Sequence, residues 1–166
     1  LVQVIPFLLF VYVVSLQVRR LTNSAFVRNF CIVAAGLATY LTPWTVTLNN
    51  HVFAAFLATF ALHAVIEIWY GGRRAWYWFA IAGFCSAFAA TNELPAALLT
   101  AAVLAALIYI APKQAVLYGL PTAAVPVIGF FVTNYIATGS LSPSYAAFGM
   151  KGGPYDYPGS YWQSPL

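Results

Sequence analysis

Charge is what this sequence has least of. Of its 166 residues, 6% are Asp, Glu, Lys or Arg, and only three of these are acidic. Soluble domains carry about a quarter of their residues as charges and about half as apolar ones. Here 63% are hydrophobic, and the mean hydropathy is +0.83. A soluble fold of this length has no interior large enough to hide so much apolar surface. Lipid is therefore the expected solvent for much of the chain.

Strand-like alternation of polar and apolar residues is also missing. Backbone polar groups in lipid must be satisfied within helices or a closed barrel. Barrel strands alternate over about ten residues, whereas the apolar runs here are continuous, as in 96–111. Helices are the expected solution. Cysteine is scarce: Cys31 and Cys85 fall inside apolar runs, lack metal-ligand spacing and read as small buried residues. There is no Asn-x-Ser/Thr sequon, phosphate-binding glycine loop, Ser/His/Asp arrangement or metal-ligand cluster, so no metal site is predicted. Gly71-Gly72 and Gly152-Gly153 read as turns. No fixed-period repeat, heptad seam or low-complexity linker is visible. Leu1 opens inside an apolar run without a basic leader region, and the sequence stops at Pro165-Leu166 within an aromatic, Pro-rich stretch. The expectation is a central piece of a larger protein, truncated at both ends.

What is present is a series of apolar stretches. The sequence predicts an all-α, polytopic bundle of about six transmembrane helices over 1–137, with spans near 1–18, 30–48, 52–70, 76–90, 94–111 and 115–137. Residues 138–166 are too polar and too rich in Gly and Pro to span, and form an irregular extracytoplasmic segment. A crossing helix needs about 20 residues, or about 17 at the short end. Thr91-Asn92-Glu93-Leu94-Pro95 makes a tight polar turn, with Pro95 suited to the first turn of the next helix. Pro121 and Pro126 should kink the last span. Ala97, Ala101 and Ala105 form a small-residue stripe suited to close helix packing.

The formal charge is +4 and the pI about 9.2. Topology explains this better than nucleic acid, which is not an expected partner. Arg19, Arg20 and Arg28 lie in the first loop, Arg73 and Arg74 in the third, and Lys113 in the fifth. Six of the seven basic residues thus fall on one side. By the positive-inside rule that side is cytoplasmic, and the even loops and the tail, with Lys151, are extracytoplasmic. The expected location is a cell membrane, crossed several times. Trp69, Tyr70, Trp76, Tyr77 and Trp78 bracket Gly71-Gly72-Arg73-Arg74 as an aromatic belt at the inner interface.

Polar residues gather at three outward positions: Thr45, Thr47, Asn49, Asn50 and His51 in the second loop; Thr91, Asn92 and Glu93 in the fourth; Thr133, Asn134 and Tyr135 near the end of the last span. Topology sets them at one level, which suggests a polar cavity opening outward. Glu93 stands out, because a carboxylate near lipid costs about 2.5–3.5 kcal/mol on insertion scales and so faces a cavity or a partner. It reads equally as a solvated turn residue near the following helix N-terminus. His51 reads as an interfacial cap or as a ligand contact with its Asn neighbours; one His is too little for a metal. His63 and Glu67, at i and i+4, can pair on one helix face or serve a proton relay. The tail carries Tyr145, Phe148, Tyr155, Tyr157, Tyr161 and Trp162 around Asp156. Such rings suit either headgroups or sugar stacking. Substrate-cavity candidates are Asn49, Asn50, His51, Asn92, Glu93, Asn134, Tyr157 and Trp162.

A basic loop leads through one span into Leu41-Thr42-Pro43-Trp44-Thr45-Val46-Thr47-Leu48-Asn49-Asn50-His51. A long apolar helix and Gly71-Gly72-Arg73-Arg74 follow, then Ala82-Gly83-Phe84-Cys85-Ser86-Ala87-Phe88-Ala89-Ala90-Thr91-Asn92-Glu93-Leu94-Pro95. Over 19–111 this order resembles the central part of GT-C-type polytopic membrane glycosyltransferases. That family includes protein O-mannosyltransferases, aminoarabinose transferases and bacterial RgtA/B/C/D-like relatives. The resemblance implies transfer of a sugar from a polyprenyl-phosphate carrier to an acceptor on the extracytoplasmic face. It implies a catalytic acid in a large outer loop upstream of Leu1, so no catalytic residue is named in this sequence. It aligns Asn49, Asn50 and His51 with a polar outer loop lining a donor or acceptor cavity. Glu93 stands where relatives often carry Lys, which weakens any transfer of carrier-phosphate binding to that position. The mechanism would be inverting, with a base activating the acceptor and polar groups stabilising the departing lipid phosphate. Cations or a divalent metal would have to neutralise that phosphate, and on the outer side only Lys151 and protonated His51 are available.

Two other classes stay open. A transporter or channel subunit would use Glu93, with His63 and Glu67, as intramembrane relay groups. A non-catalytic structural membrane subunit would need no site.

Overall fold

The computed structural model describes residues 3–39, 41–45 and 50–141. Of these, 85% are helical, and no strand occurs among them. The helices are α1 (Val4–Leu21), α2 (Ala25–Leu37), the short α3 (Leu41–Trp44), α4 (Asn50–Trp69), α5 (Trp76–Asn92), α6 (Ala96–Ile110), α7 (Pro112–Gln114) and α8 (Leu120–Thr138), with a π-helical turn at Ala115–Gly119 before α8. The chain forms two compact units, Leu1–Pro126 and Val127–Leu166. Three segments are long and apolar enough to cross a membrane: Val4–Leu21, Asn50–Trp69 and the continuous run Pro112–Thr138. The helices α2 and α6 are apolar but shorter.

Local chemistry sets the boundaries. The second apolar stretch, predicted as one run over 30–48, is divided. Ser24 caps α2, its Oγ accepting from the Val27 N–H at 3.4 Å, so the helix starts at Ala25. It stops after Leu37, where hydroxyls take over the open carbonyls: Thr39 Oγ1 donates to Ala35 O at 3.1 Å and Thr42 Oγ1 to Gly36 O. Pro43 has no N–H with which to continue the ladder through α3. At the end of α4, Gly71 N donates to Ile66 O at 3.3 Å and Arg73 N to Glu67 O at 3.1 Å. Gly72 makes the reversal in the left-handed region, at φ +63°. The helix α5 runs two residues past the predicted Ala90, and Glu93 caps it through its N–H to Ala89 O at 2.9 Å.

The last span is reshaped ahead of its prolines. A Pro at 121 supplies no N–H, and its ring crowds the carbonyl one turn earlier. The wide turn at Ala115–Gly119, closed by Leu120 N–H on Ala115 O, sits directly before it. Such turns open the helical ladder where a regular turn does not fit. Pro126 then lies inside α8.

One buried cluster joins Ala64 and Ile68 of α4, Phe79 and Ala82 of α5, Val103 and Leu107 of α6, and Ala111 and Ala115. A second joins Phe10 of α1 to Val52 and Phe56 of α4, with the Phe10 and Phe56 rings 5.5 Å apart. Around these clusters the outer faces stay apolar, with Leu8, Leu9, Phe30, Leu98 and Ile108 all exposed. Helices apolar on every side suit a lipid surround.

Close helix approach occurs, but not at the predicted stripe. Ala97, Ala101 and Ala105 face outward, because α6 turns Val103 and Leu107 into the core. The tight contact is at Gly83 on α5, where a Cβ would lie 2.1 Å from Gly119 O. Hydroxyls bond across the same helices. Thr122 Oγ1 donates to Ala80 O at 3.1 Å, and Thr100 Oγ1 to Ser86 O at 2.7 Å.

Candidate functional site

The two ends of α4 carry opposite chemistry. Its twenty residues rise about 1.5 Å each, or about 30 Å in all. That matches the hydrocarbon thickness of a bilayer.

At the C-terminal end of α4, Glu67 is the hub. Its Oε2 accepts Arg20 Nη2 from the end of α1 at 2.6 Å, and Arg73 Nε lies 3.7 Å from the same oxygen. The Glu67 side chain is 7% exposed, so these cations offset a nearly complete desolvation. Gly71 leaves room for the pair: a Cβ there would stand 3.2 Å from both Arg20 Nη1 and Glu67 Oε2. Arg74 Nη1 donates to Ile68 O at 2.7 Å, placing its charge on the carbonyl end of α4. The Trp69 ring stacks on Tyr109 of α6 at 6.2 Å, so α6 and the following Lys113 turn at this end too. Among the described residues no hydrogen bond joins His63 to Glu67, whose Oε2 is held by these longer-range contacts. His63 instead meets Trp78 edge-on at 5.7 Å, and its Nδ1 is buried without a hydrogen-bond partner among the described residues.

At the N-terminal end of α4, its first two residues meet the turn between α5 and α6. Asn50 Nδ2 donates to Asn92 O at 3.0 Å and to Glu93 Oε1 at 2.8 Å. His51 Nδ1 contacts the same oxygen of Glu93. Asn92 turns its own amide back along α5, Nδ2 donating to Phe88 O at 2.8 Å. The imidazole is half exposed and the carboxylate about a quarter exposed, so the cluster faces solvent rather than the core. A carboxylate holding an imidazole fixes the ring's orientation, an arrangement compatible with general acid–base chemistry and equally with a purely structural clasp. Asn50 adds a neutral donor that anchors the acid to α4.

Four of the predicted cavity residues, Asn50, His51, Asn92 and Glu93, thus share one cluster. Asn134 belongs to the second unit, on α8, where its carbonyl accepts Thr138 Oγ1 at 2.8 Å and its Nδ2 is buried without a partner among the described residues. Asn49, Tyr157 and Trp162 lie outside the described residues, as do Lys151 and Asp156. Among the described residues no group of three or more His, Cys, Asp or Glu could hold a metal. Two features escaped the sequence reading: the Arg20–Glu67 pair and the Gly83–Gly119 contact. Rarity was the available signal for the first, since an acid within an apolar helix needs a partner. No known family, curated protein or solved structure matches this chain.

Proposed function

We propose that this chain is a six-crossing integral membrane protein whose arginine-rich end faces the cytoplasm, and that its opposite end forms part of a glycosyl-transfer site. The crossings are α1, α2 with α3, α4, α5, α6, and the run from α7 through α8. The arginine pattern supports the orientation. The observation that carries the functional reading is the Asn50–Glu93–His51 cluster, about 30 Å along α4 from the arginines. An imidazole on a carboxylate, open to solvent at the membrane surface, suits an acceptor hydroxyl or a sugar. The GT-C-type resemblance supplies the donor class, a polyprenyl-phosphate sugar. The transporter alternative has less support, because Glu67 and Glu93 both already hold protein partners.

Two experiments test this. In a C31S/C85S background, N50C should react with an impermeant thiol reagent added outside intact cells, and R73C should not; the reverse pattern refutes the orientation. The full reading frame should show an acidic residue in a large outer loop upstream of Leu1. A second half resembling this one, with its own buried acid, would favour transport. Given that frame, E93Q and H51A in native membranes should slow sugar transfer from the polyprenyl carrier. Unchanged transfer in both variants removes the cluster from the site.

A further inference from the structure

Two arginines at the cytoplasmic end take no part in the Glu67 network. Arg19, exposed at the end of α1, and Arg28, half-buried in the first turns of α2, line one cavity of about 370 Å³ with Asn29 and Ile32. The described carboxylates are Glu67, held by Arg20 and Arg73, and Glu93, held at the opposite end of α4. Arg19 and Arg28 therefore have no ion-pair partner among the described residues. Two guanidinium groups that face no carboxylate among the described residues, beside a neutral amide, form a cationic hollow, and the planar guanidinium fork matches phosphate oxygens in paired hydrogen bonds.

Asn29 also borders a second cavity, of about 390 Å³, lined by Phe26, Phe30, Val33, Ala34 and Ala38 along α2. Asn29 thus belongs to both walls, and the polar and apolar hollows adjoin on neighbouring faces of α2. The small Ala34 and Ala38 leave a trough that Phe30 and Val33 flank. A free inorganic anion would use only the first hollow. An occupant that uses both has an anionic phosphate head and a hydrocarbon chain.

We propose that the α1–α2 hairpin is a binding site for an anionic phospholipid of the inner leaflet, with its phosphodiester between Arg19 and Arg28 and an acyl chain along Phe30, Val33, Ala34 and Ala38. This rests on the membrane orientation proposed above, and it is independent of the sugar chemistry. Basic pockets between helices on the cytoplasmic side favour such headgroups, at about 1 kcal/mol per cationic side chain.

The test uses the full chain in uncharged detergent, offered equal amounts of phosphatidylglycerol and phosphatidylcholine with the same acyl chains. Retained lipid is counted by native mass spectrometry. Phosphatidylglycerol should be retained preferentially, and R19Q/R28Q should weaken its retention roughly 30-fold. K113Q, a charge change at the same end but outside the cavity, should leave retention unchanged. A34W keeps both arginines and fills the trough, so it should also release the lipid; it decides the matter if R19Q/R28Q does not fold. Equal retention of the two lipids, full retention by both R19Q/R28Q and A34W, or displacement by millimolar inorganic phosphate would each overturn the proposal. Failure of the membrane reading is scored separately: a chain that stays folded and monodisperse without detergent defeats that reading whatever lipid it binds.

Discussion

Arg20 and Glu67 stand 47 residues apart in sequence, yet their side chains meet at 2.6 Å and tie the end of α1 to the end of α4. The pair is lopsided. Arg20 is about a third exposed, while Glu67 is nearly enclosed. Removing one partner is therefore not equivalent to removing the other.

R20A leaves an enclosed carboxylate with only Arg73, 3.7 Å away. It should destabilise by about 3 kcal/mol, the scale for stranding a buried charge. E67Q leaves a guanidinium that water can reach, and should cost about 1 kcal/mol. The double variant R20A/E67Q should recover most of the loss from R20A. A denaturant-unfolding cycle in detergent measures all three, and equal costs for the two single variants would contradict the asymmetry.

Glycines in this chain should respond in opposite directions. G83A places a methyl 2.1 Å from Gly119 O, so α5 and the wide turn must part. The expected loss is about 2–3 kcal/mol, in the range for overpacking. Gly129 meets nothing within 4 Å and sits in the interior of α8, so G129A should stabilise by about 0.5–1 kcal/mol. Thermal unfolding of the two variants side by side gives the comparison.

Gly72 is a third case, in which the backbone decides. Its φ is +63° and the space around it is open. G72A should therefore cost about 1 kcal/mol through conformation alone. G72N should cost less, since Asn tolerates the left-handed region better. Equal effects of Ala and Asn would point to contact rather than conformation.

At the opposite end of the bundle, N50A removes two donated bonds, one of them to the Glu93 carboxylate. The expected cost is about 1–2 kcal/mol. Hydrogen exchange should rise at Asn92 and Glu93 and stay unchanged at Arg73 and Arg74. Uniform loosening at both ends would show that Asn50 is not a local clasp.

Much of the helical layout was legible because its cause is local. Continuous apolar runs, the turn at Leu94-Pro95 and the glycines after α4 place α4, α5 and α6 within a few residues of their observed limits. The second stretch was misjudged because apolarity alone does not locate an end. The Ser24 cap and the Thr39 and Thr42 hydroxyls decide it, and their bonds are visible only once the chain is folded. The alanine stripe misled for a related reason. Small residues permit close packing, but the face that packs is chosen by Val103 and Leu107. For the polar cluster, topology brought Asn50, His51 and Glu93 to one level, while their meeting on a single carboxylate oxygen depended on rotamers that sequence does not record.

The wide turn before Pro121 holds one residue more than a regular helix would use over the same rise. Deleting Val116 should let the segment wind as an ordinary α-helix. Later positions would keep almost the same angular place, because the wide turn absorbs its surplus residue within itself. Thr122 would still reach Ala80, and only the stretch that carries Gly119 against Gly83 would be rebuilt. The surplus residue is thus a local spacer, removable without re-aiming the helix beyond it.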